Sequence, residues 1–128
     1  MNKAVLDASA ILAVLFQERG AEKLSDEILQ GAVVSTVNLA EVQTKLVRMG
    51  HDPEKAWVDA LLLETAPEPY TSEHAKIAGT LAKETQSLGL SLGDRSCLAL
   101  AITLKVPVYT TERAWRNLKV GVPIHVIR

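Results

Sequence analysis

Short apolar runs alternate with longer amphipathic stretches along the chain. The runs that indicate strands are residues 3–6, 32–37, 107–110 and 124–127. Their apolar residues fall on both faces of a pleat, which is typical of strands that are covered on both sides. Residues 66–70 contain two prolines, so we expect an edge strand or an extended loop there.

The stretches between these runs have the periodicity and the end signals of helices. We predict helices over residues 9–16, 21–30, 39–49, 53–64, 72–86, 94–104 and 112–118. Ser9 and Asn38 are the expected N-caps of the first and third helices. Strands that alternate with helices predict an α/β fold with three layers, in which helices cover both faces of a parallel sheet. Since no linker or repeat interrupts the pattern, we expect one domain over residues 1–128.

Composition and charge narrow the function classes. The 128 residues carry 14 Lys and Arg against 15 Asp and Glu, so the protein has no net positive charge with which to bind nucleic acid. Any such contact needs a local basic patch or a metal. One cysteine excludes a disulfide scaffold. Asp7 interrupts what would be the apolar part of a secretion signal, and no uncharged apolar run reaches the roughly 18 residues of a membrane span. We therefore expect a cytoplasmic protein.

Acidic residues follow the predicted strands where a site would form. Asp7 ends the first strand, Glu41 lies in the first turn after the second, and Glu112 begins the helix after the strand at 107–110. Asp94 begins a helix after a glycine-bearing loop. Ligand sites of parallel sheets lie at the carboxyl ends of strands, where these acids would meet. The alternative is that each acid only stabilises the start of its helix.

Two of these acids are placed where simple helix capping explains them poorly. Asp94 shares the apolar stripe of its helix, and Asp7 lies in a nearly uncharged segment. Partly buried carboxylates need a counter-charge, and no Arg or His lies on the apolar stripe of Asp94 or in the uncharged segment of Asp7. Mg²⁺ or Mn²⁺ would supply it, whereas one Cys and three scattered His have no zinc-ligand spacing.

The segments around the four acids have the order and spacing of a known family. They are residues 5–9, 35–42, 91–101 and 108–115. These segments resemble the four acidic blocks of PIN domains, and they are most similar to VapC-type toxins of bacterial toxin–antitoxin pairs. The resemblance covers nearly the whole chain.

This resemblance implies a PIN-like fold and a Mg²⁺- or Mn²⁺-dependent endoribonuclease that hydrolyses RNA. It also implies inhibition by a cognate antitoxin and a homodimer. Asp7, Glu41, Asp94 and Glu112 are then the catalytic carboxylates, with the metal on Asp7 and Asp94. The residues expected to support these ligands are Ser9, Asn38 and Thr110.

The fourth acidic position departs from the family. It usually carries Asp, and here it is Glu112. The extra methylene moves the carboxylate by roughly one bond length, and a misplacement of about 1 Å can reduce a rate by about 10²-fold. We therefore expect metal affinity that is retained but altered.

Local basic groups could hold the RNA. Lys45 and Arg48 follow Glu41 on one helix face, and Arg113 and Arg116 follow Glu112. The alternative for Lys45 is an ordinary helix pair with Glu41.

Two other functions stay open at this point. One is a PIN-like module that binds RNA or protein without catalysis because Glu112 weakens the metal site. The other is a PIN nuclease without an antitoxin, which acts on single-stranded DNA or in RNA maturation.

Overall fold

The computed structural model describes residues 4–61, 63 and 65–128. The strands are Ala4–Leu6 (β1), Ala32–Ser35 (β2), Ala66–Glu68 (β3), Val108–Thr110 (β4) and Ile124–Val126 (β5). The α-helices are Ala8–Leu15 (α1), Asp26–Gln30 (α2), Thr36–Arg48 (α3), Pro53–Leu61 (α4), Ser72–Thr80 (α5), Ala82–Thr85 (α6) and Leu92–Leu104 (α7). Turns of 3₁₀-helix lie at Ala21–Lys23, Gln86–Leu88 and Arg113–Trp115.

The five strands form one parallel sheet in the order β3-β2-β1-β4-β5. β1 is central, and Val5 is in register with Val33 of β2 on one side and with Val108 of β4 on the other. Because all strands run the same way, their carboxyl ends meet at one edge of the sheet. That edge holds Asp7 directly after β1 and Thr110 at the end of β4.

Each face of the sheet carries its own hydrophobic core. Leu6 and Val34 pack with α1, α3 and α4, whereas the neighbouring Val5 and Val33 pack with α7 and α5. Successive strand residues therefore point to opposite helix layers, as strand geometry requires. The predicted three-layer α/β fold is confirmed. No helix in the described part of the chain has the length and apolar character needed to cross a membrane.

Both predicted N-caps are wrong. α1 begins at Ala8, and the Asp7 side chain, rather than that of Ser9, accepts the capping hydrogen bond from the Ala10 N–H. α3 begins at Thr36 and is capped by Ser35, so Asn38 lies inside the first turn. In both cases the chain passes from strand to helix without a loop, and the first available oxygen becomes the cap.

Three predicted helices are shorter than expected. Ser25 caps α2 and so divides the predicted helix 21–30 into a 3₁₀ turn and a short α-helix. The predicted helix 72–86 breaks around Leu81, shortly after Gly79, a poor helix former. The predicted helix 112–118 is only a 3₁₀ turn.

Other boundaries differ less. The helix predicted over 94–104 begins at Leu92, so Gly93 and Asp94 both lie in its first turn. The helix predicted over 53–64 is seen to Leu61, and its last residue, Glu64, lies outside the described residues. The proline-bearing segment forms the edge strand β3.

Candidate functional site

Asp7 is buried where β1 meets α1. Its side chain is 3% exposed, and its carboxylate accepts three hydrogen bonds. Ser9 Oγ and the Ala10 N–H donate to Oδ1 over 2.7 and 2.9 Å, and Thr110 Oγ1 donates to Oδ2 over 2.6 Å. The structure therefore places two of the residues expected to support the site, Ser9 and Thr110, directly on Asp7.

The two hydroxyls are themselves held by backbone groups. The Thr111 N–H donates to Ser9 Oγ and the Glu112 N–H donates to Thr110 Oγ1, each over 3.0 Å. Each hydroxyl thus accepts from the backbone and donates to the carboxylate, and such chains of hydrogen bonds strengthen one another. We call the set formed by Asp7, Ser9, Ala10 and Thr110 the Asp7 cradle.

Burial raises the pKa of Asp7 to about 6 in spite of these hydrogen bonds. The bonds from Thr110, Ser9 and Ala10 lower the pKa, and the negative charge of Asp94 raises it further. The balance means that ionisation of Asp7 is less favourable in the folded protein than in water, and a nearby positive charge would offset this cost.

Glu41 lies in α3 and is held by a neighbour on the same helix. Asn38 Nδ2 donates to Glu41 Oε1 over 2.8 Å and to the carbonyl oxygen of Gly93 in α7 over 3.0 Å. Partial burial raises the pKa of Glu41, the Asn38 bond lowers it, and the charge of Asp94 raises it. Asn38, the third residue expected to support the site, therefore contacts an acid as well as the backbone of a second helix.

Asp94 both caps a helix and lies near the other acids, which are the two roles that the sequence left open. Its Oδ2 accepts from the Ser91 N–H over 2.9 Å, and its own N–H donates to Ser91 Oγ over 3.2 Å, so it belongs to a capping box. It is also half-buried, and its charge raises the pKa of both Asp7 and Glu41. Capping alone does not account for its position.

A buried cysteine lies within the electrostatic range of three of the acids. The pKa of the Cys97 thiol in α7 is raised well above its ordinary value, first by burial and then by the charges of Asp7, Asp94 and Glu41. All three carboxylates therefore act on one point beside the start of α7. The thiol is fully buried, which agrees with a structural role for Cys97.

The donor set suits a hard divalent cation. Within residues 4–61, 63 and 65–128, no Lys or Arg forms an ion pair with Asp7, Glu41 or Asp94. The same residues contain no group of three Asp, Glu, His or Cys side chains arranged around one ion. Mg²⁺ keeps several waters and needs only one or two protein carboxylates, so an anionic pocket of this kind fits it.

We call the region between Asp7, Glu41 and Asp94 the acidic pocket. Glu112 lies at the margin of this pocket. Its backbone N–H contacts the Asp7 cradle, but its side chain is exposed and does not cap the 3₁₀ turn that follows. The charges that raise the pKa values of Asp7, Glu41 and Cys97 do not include that of Glu112. The charge of Asp94 therefore reaches both Asp7 and Glu41, whereas the Glu112 side chain lies outside this set.

The predicted RNA-binding residues fall into two settings. Lys45 and Arg48 line an open groove of about 620 Å³ that also includes Glu41. Arg113 donates from Nε to the carbonyl oxygen of Arg128 over 3.3 Å, and Arg116 is exposed. The groove on α3 thus places basic groups in line with an acid of the pocket.

Sequence reasoning missed Gly93. It was assigned to a loop, but the structure places it inside α7, where its carbonyl oxygen accepts from Asn38. The only signal in the sequence is a glycine immediately before Asp94.

The family model of the PIN domain matches residues 4–120. The chain belongs to the PIN domain family. This confirms the resemblance that the four acidic segments indicated. No curated protein gives a significant match to the sequence.

Solved structures with this PIN fold include several toxin–antitoxin proteins. DNA-bound VapBC from Salmonella typhimurium is similar with a TM-score of 0.75 and 17% identity, covering 97% of each chain. A toxin–antitoxin complex from Klebsiella pneumoniae has a TM-score of 0.73 and 18% identity, over 94% of this chain and 95% of that one. FitAcB from Neisseria gonorrhoeae has a TM-score of 0.67 and 19% identity, over 95% and 96%. At these identities the likeness is one of fold.

Proposed function

We propose that this PIN domain is a Mg²⁺- or Mn²⁺-dependent endoribonuclease and the toxin of a VapBC-type pair. The observation that carries the proposal is that the Glu41 carboxylate lies against Gly93, the neighbour of Asp94, and that the charge of Asp94 also reaches the buried Asp7. No Lys or Arg of the described residues forms an ion pair with these three acids. A metal-dependent nuclease needs such a site, because the divalent ion that it binds brings positive charge to an anionic substrate.

Asp7 and Asp94 are the residues that would hold the ion. Ion binding there would offset the charge of the carboxylates and of the phosphodiester group. Ser9 and Thr110 keep the Asp7 carboxylate in one orientation by donating to its two oxygens. Glu41 has a raised pKa, so it can accept a proton or orient a water molecule in the groove. Glu112 completes the acidic set from the outside.

The substrate would enter along α3. Lys45 and Arg48 line the same groove as Glu41, and Arg113 and Arg116 lie on the Glu112 side. Basic side chains on both sides of an acidic pocket would bind the phosphates that flank the cleaved bond.

The proposed partners and location come from the family. The structural neighbours include VapBC proteins and another toxin–antitoxin complex, which supports a cognate antitoxin as the inhibitor of this chain. A homodimer and a cytoplasmic location belong to the same proposal.

A PIN module without catalysis is the second candidate. Two observations favour it: the described residues hold no ready group of three metal ligands, and the Glu112 side chain is exposed. Such a protein would bind RNA equally well with and without Mn²⁺ and would not cleave it.

The test is RNA cleavage by the purified protein with Mg²⁺, with Mn²⁺ and with EDTA, together with Asp94→Ala. We expect cleavage with either ion and none with EDTA or in the variant. Asp52→Ala is the matched control, because Asp52 also accepts a hydrogen bond from a first-turn N–H, that of Lys55, but it precedes α4 and lies away from Asp7, Glu41 and Asp94. Activity that survives EDTA or Asp94→Ala contradicts the proposal.

A further inference from the structure

The side chain of Asn38 is placed at a cost to its own hydrogen bonding. It is 1% exposed, and Nδ2 reaches two acceptors on two helices, Glu41 Oε1 and the carbonyl oxygen of Gly93. Its Oδ1 is buried and has no partner among the described residues. A buried polar atom without a partner is unfavourable and rare, so it requires an explanation.

The orientation of the amide is fixed by its surroundings. Turning the amide over would place Oδ1 against the Glu41 carboxylate and the Gly93 carbonyl, which are both acceptors. The fold therefore leaves one oxygen unsatisfied and in return brings an N–H donor to Glu41. If Asn38 served only the packing of α3 against α7, an apolar side chain of the same shape would serve as well.

Gly93 contacts the same Glu41 carboxylate that Asn38 holds. A Cβ added at Gly93 would overlap with the carboxylate of Glu41, including both oxygens. The position is helical and does not need the special backbone freedom of glycine. The missing side chain therefore makes room for the Glu41 carboxylate at the start of α7.

We propose that Asn38 and Gly93 are positioning residues, which together form a seat that fixes the Glu41 carboxylate at the acidic pocket. Asn38 holds one oxygen of the carboxylate by its amide, and Gly93 leaves the space that the carboxylate occupies. The inference rests on the proposed nuclease function, in which Glu41 accepts a proton or orients a water molecule beside the ion that Asp7 and Asp94 would hold.

Gly93→Ala is the first test, because it fills the seat and leaves the other pocket residues in place. Alanine favours a helix more than glycine, and the displaced group is the end of a flexible side chain, so the melting temperature should stay equal or rise. The dissociation constant for Mn²⁺, measured by electron paramagnetic resonance, should rise and kcat for RNA cleavage should fall, each by about 10- to 100-fold.

Gly79→Ala is the matched control for this variant. Gly79 is a helical glycine in α5, and nothing lies within 4 Å of a Cβ placed there. We expect the same or a higher melting temperature with unchanged Mn²⁺ affinity and kcat. If Gly93→Ala behaves like Gly79→Ala in both affinity and kcat, the seat is not needed and the inference is wrong.

Asn38→Leu tests whether the Asn38 amide positions Glu41 or only stabilises the fold. Leucine has the same branching and removes the donor and the unsatisfied oxygen together, so stability should change little while Mn²⁺ affinity or kcat falls. In a Glu41→Ala background, Asn38→Leu should have no further effect on either quantity, because the residue acts through Glu41. Equal effects with and without Glu41 would overturn the inference, as would a loss of stability without a change in affinity or kcat.

The outcomes also separate this inference from the proposed function. A wild-type protein that neither binds Mn²⁺ nor cleaves RNA would refute the function and the inference together. If Glu41→Ala is defective but Gly93→Ala and Asn38→Leu are not, only the inference fails.

Discussion

Asp7 and Glu41 lie at the same edge of the sheet, but the fold holds them in different ways. Asp7 receives three hydrogen bonds, two from the first turn of α1 and one from the end of β4. Two of the donors are hydroxyls that backbone N–H groups hold in place, and the third is itself a backbone N–H. Glu41 receives one bond, from an amide whose other end is unsatisfied. The position of Asp7 follows from the pairing of β1 with β4, whereas the position of Glu41 depends on the packing of α3 against α7.

This difference predicts which carboxylate lowers the stability of the metal-free protein more. Burying Asp7 raises its pKa to about 6, so the ionised carboxylate destabilises the metal-free protein although its hydrogen bonds are good. Glu41 is only partly buried, and its raised pKa has a smaller consequence for folding. The largest effects should therefore come from the Asp7 cradle and the smallest from the margin of the pocket.

The largest expected effect is a pH dependence of stability that Asp7→Asn removes. The folded-state pKa of about 6 lies above the ordinary 3.8, so the folded protein binds more protons between these values. The contribution of Asp7 to the free energy of unfolding should fall as pH rises through this window, by about 3 kcal/mol in total and by about 2 kcal/mol of this above pH 4.5. Urea unfolding of metal-free protein at pH 4.5 to 7.5 measures it. Identical pH profiles for wild type and Asp7→Asn would contradict the assigned burial of the charge.

Thr110→Val should be the next largest effect. It removes a hydrogen bond to a charged acceptor, which contributes about 1.5–3 kcal/mol, and the loss should appear fully above pH 6, where Asp7 is ionised. Thr85→Val is the matched control, since Thr85 is equally buried but donates to a neutral carbonyl, that of Leu81. The control should lose about 0.5–1.5 kcal/mol. Equal losses in urea unfolding at pH 7.5 would show that the cradle does not hold a charge.

The salt dependence of RNA binding tests whether Lys45 and Arg48, the basic residues of α3 near Glu41, contact phosphates. Lys45→Gln and Arg48→Gln should each reduce the slope of log K against log salt by about 0.7, the value for one phosphate of a single strand. Lys83→Gln, on an exposed turn of α6, should leave the slope unchanged. Fluorescence anisotropy with labelled RNA at several salt concentrations measures the slope. Unchanged slopes in the α3 variants would leave Lys45 as an ordinary partner for helix stability.

Glu112→Gln should have the smallest effect on the chemistry. Its side chain is exposed and does not contribute to the raised pKa values in the pocket, so we expect a fall in kcat of less than about tenfold. Initial cleavage rates at saturating Mn²⁺ provide the comparison with Asp7→Asn. A loss as large as that of Asp7→Asn would place Glu112 among the central carboxylates.

The sequence predicted the parts of this site that depend on local pattern. Apolar runs gave the strands, and the acid after β1 and the threonine at the end of β4 meet because parallel strands share an edge. The predicted N-cap of α3 was wrong because the segment 35–38 offers Ser, Thr and Asn within four residues, all good caps, and only the length of β2 decides among them.

The seat of Glu41 could not be predicted, because it joins residues that are far apart in the sequence. Asn38 and Gly93 are separated by 55 positions, and their bond exists only once α3 packs against α7. A glycine before Asp94 indicates a loop as readily as a place for a carboxylate. The marginal position of Glu112 likewise depends on the chain forming a 3₁₀ turn where a helix was expected.

The most direct test of the central claim is Mn²⁺ binding to wild type and to Asp7→Asn, measured by electron paramagnetic resonance at pH 7.5. If Asp7 and its neighbouring acids hold a divalent ion, wild type binds Mn²⁺ and the variant, which differs by one charge, binds it at least about tenfold more weakly. Equal affinity in the two proteins, or no binding to either, would contradict the account.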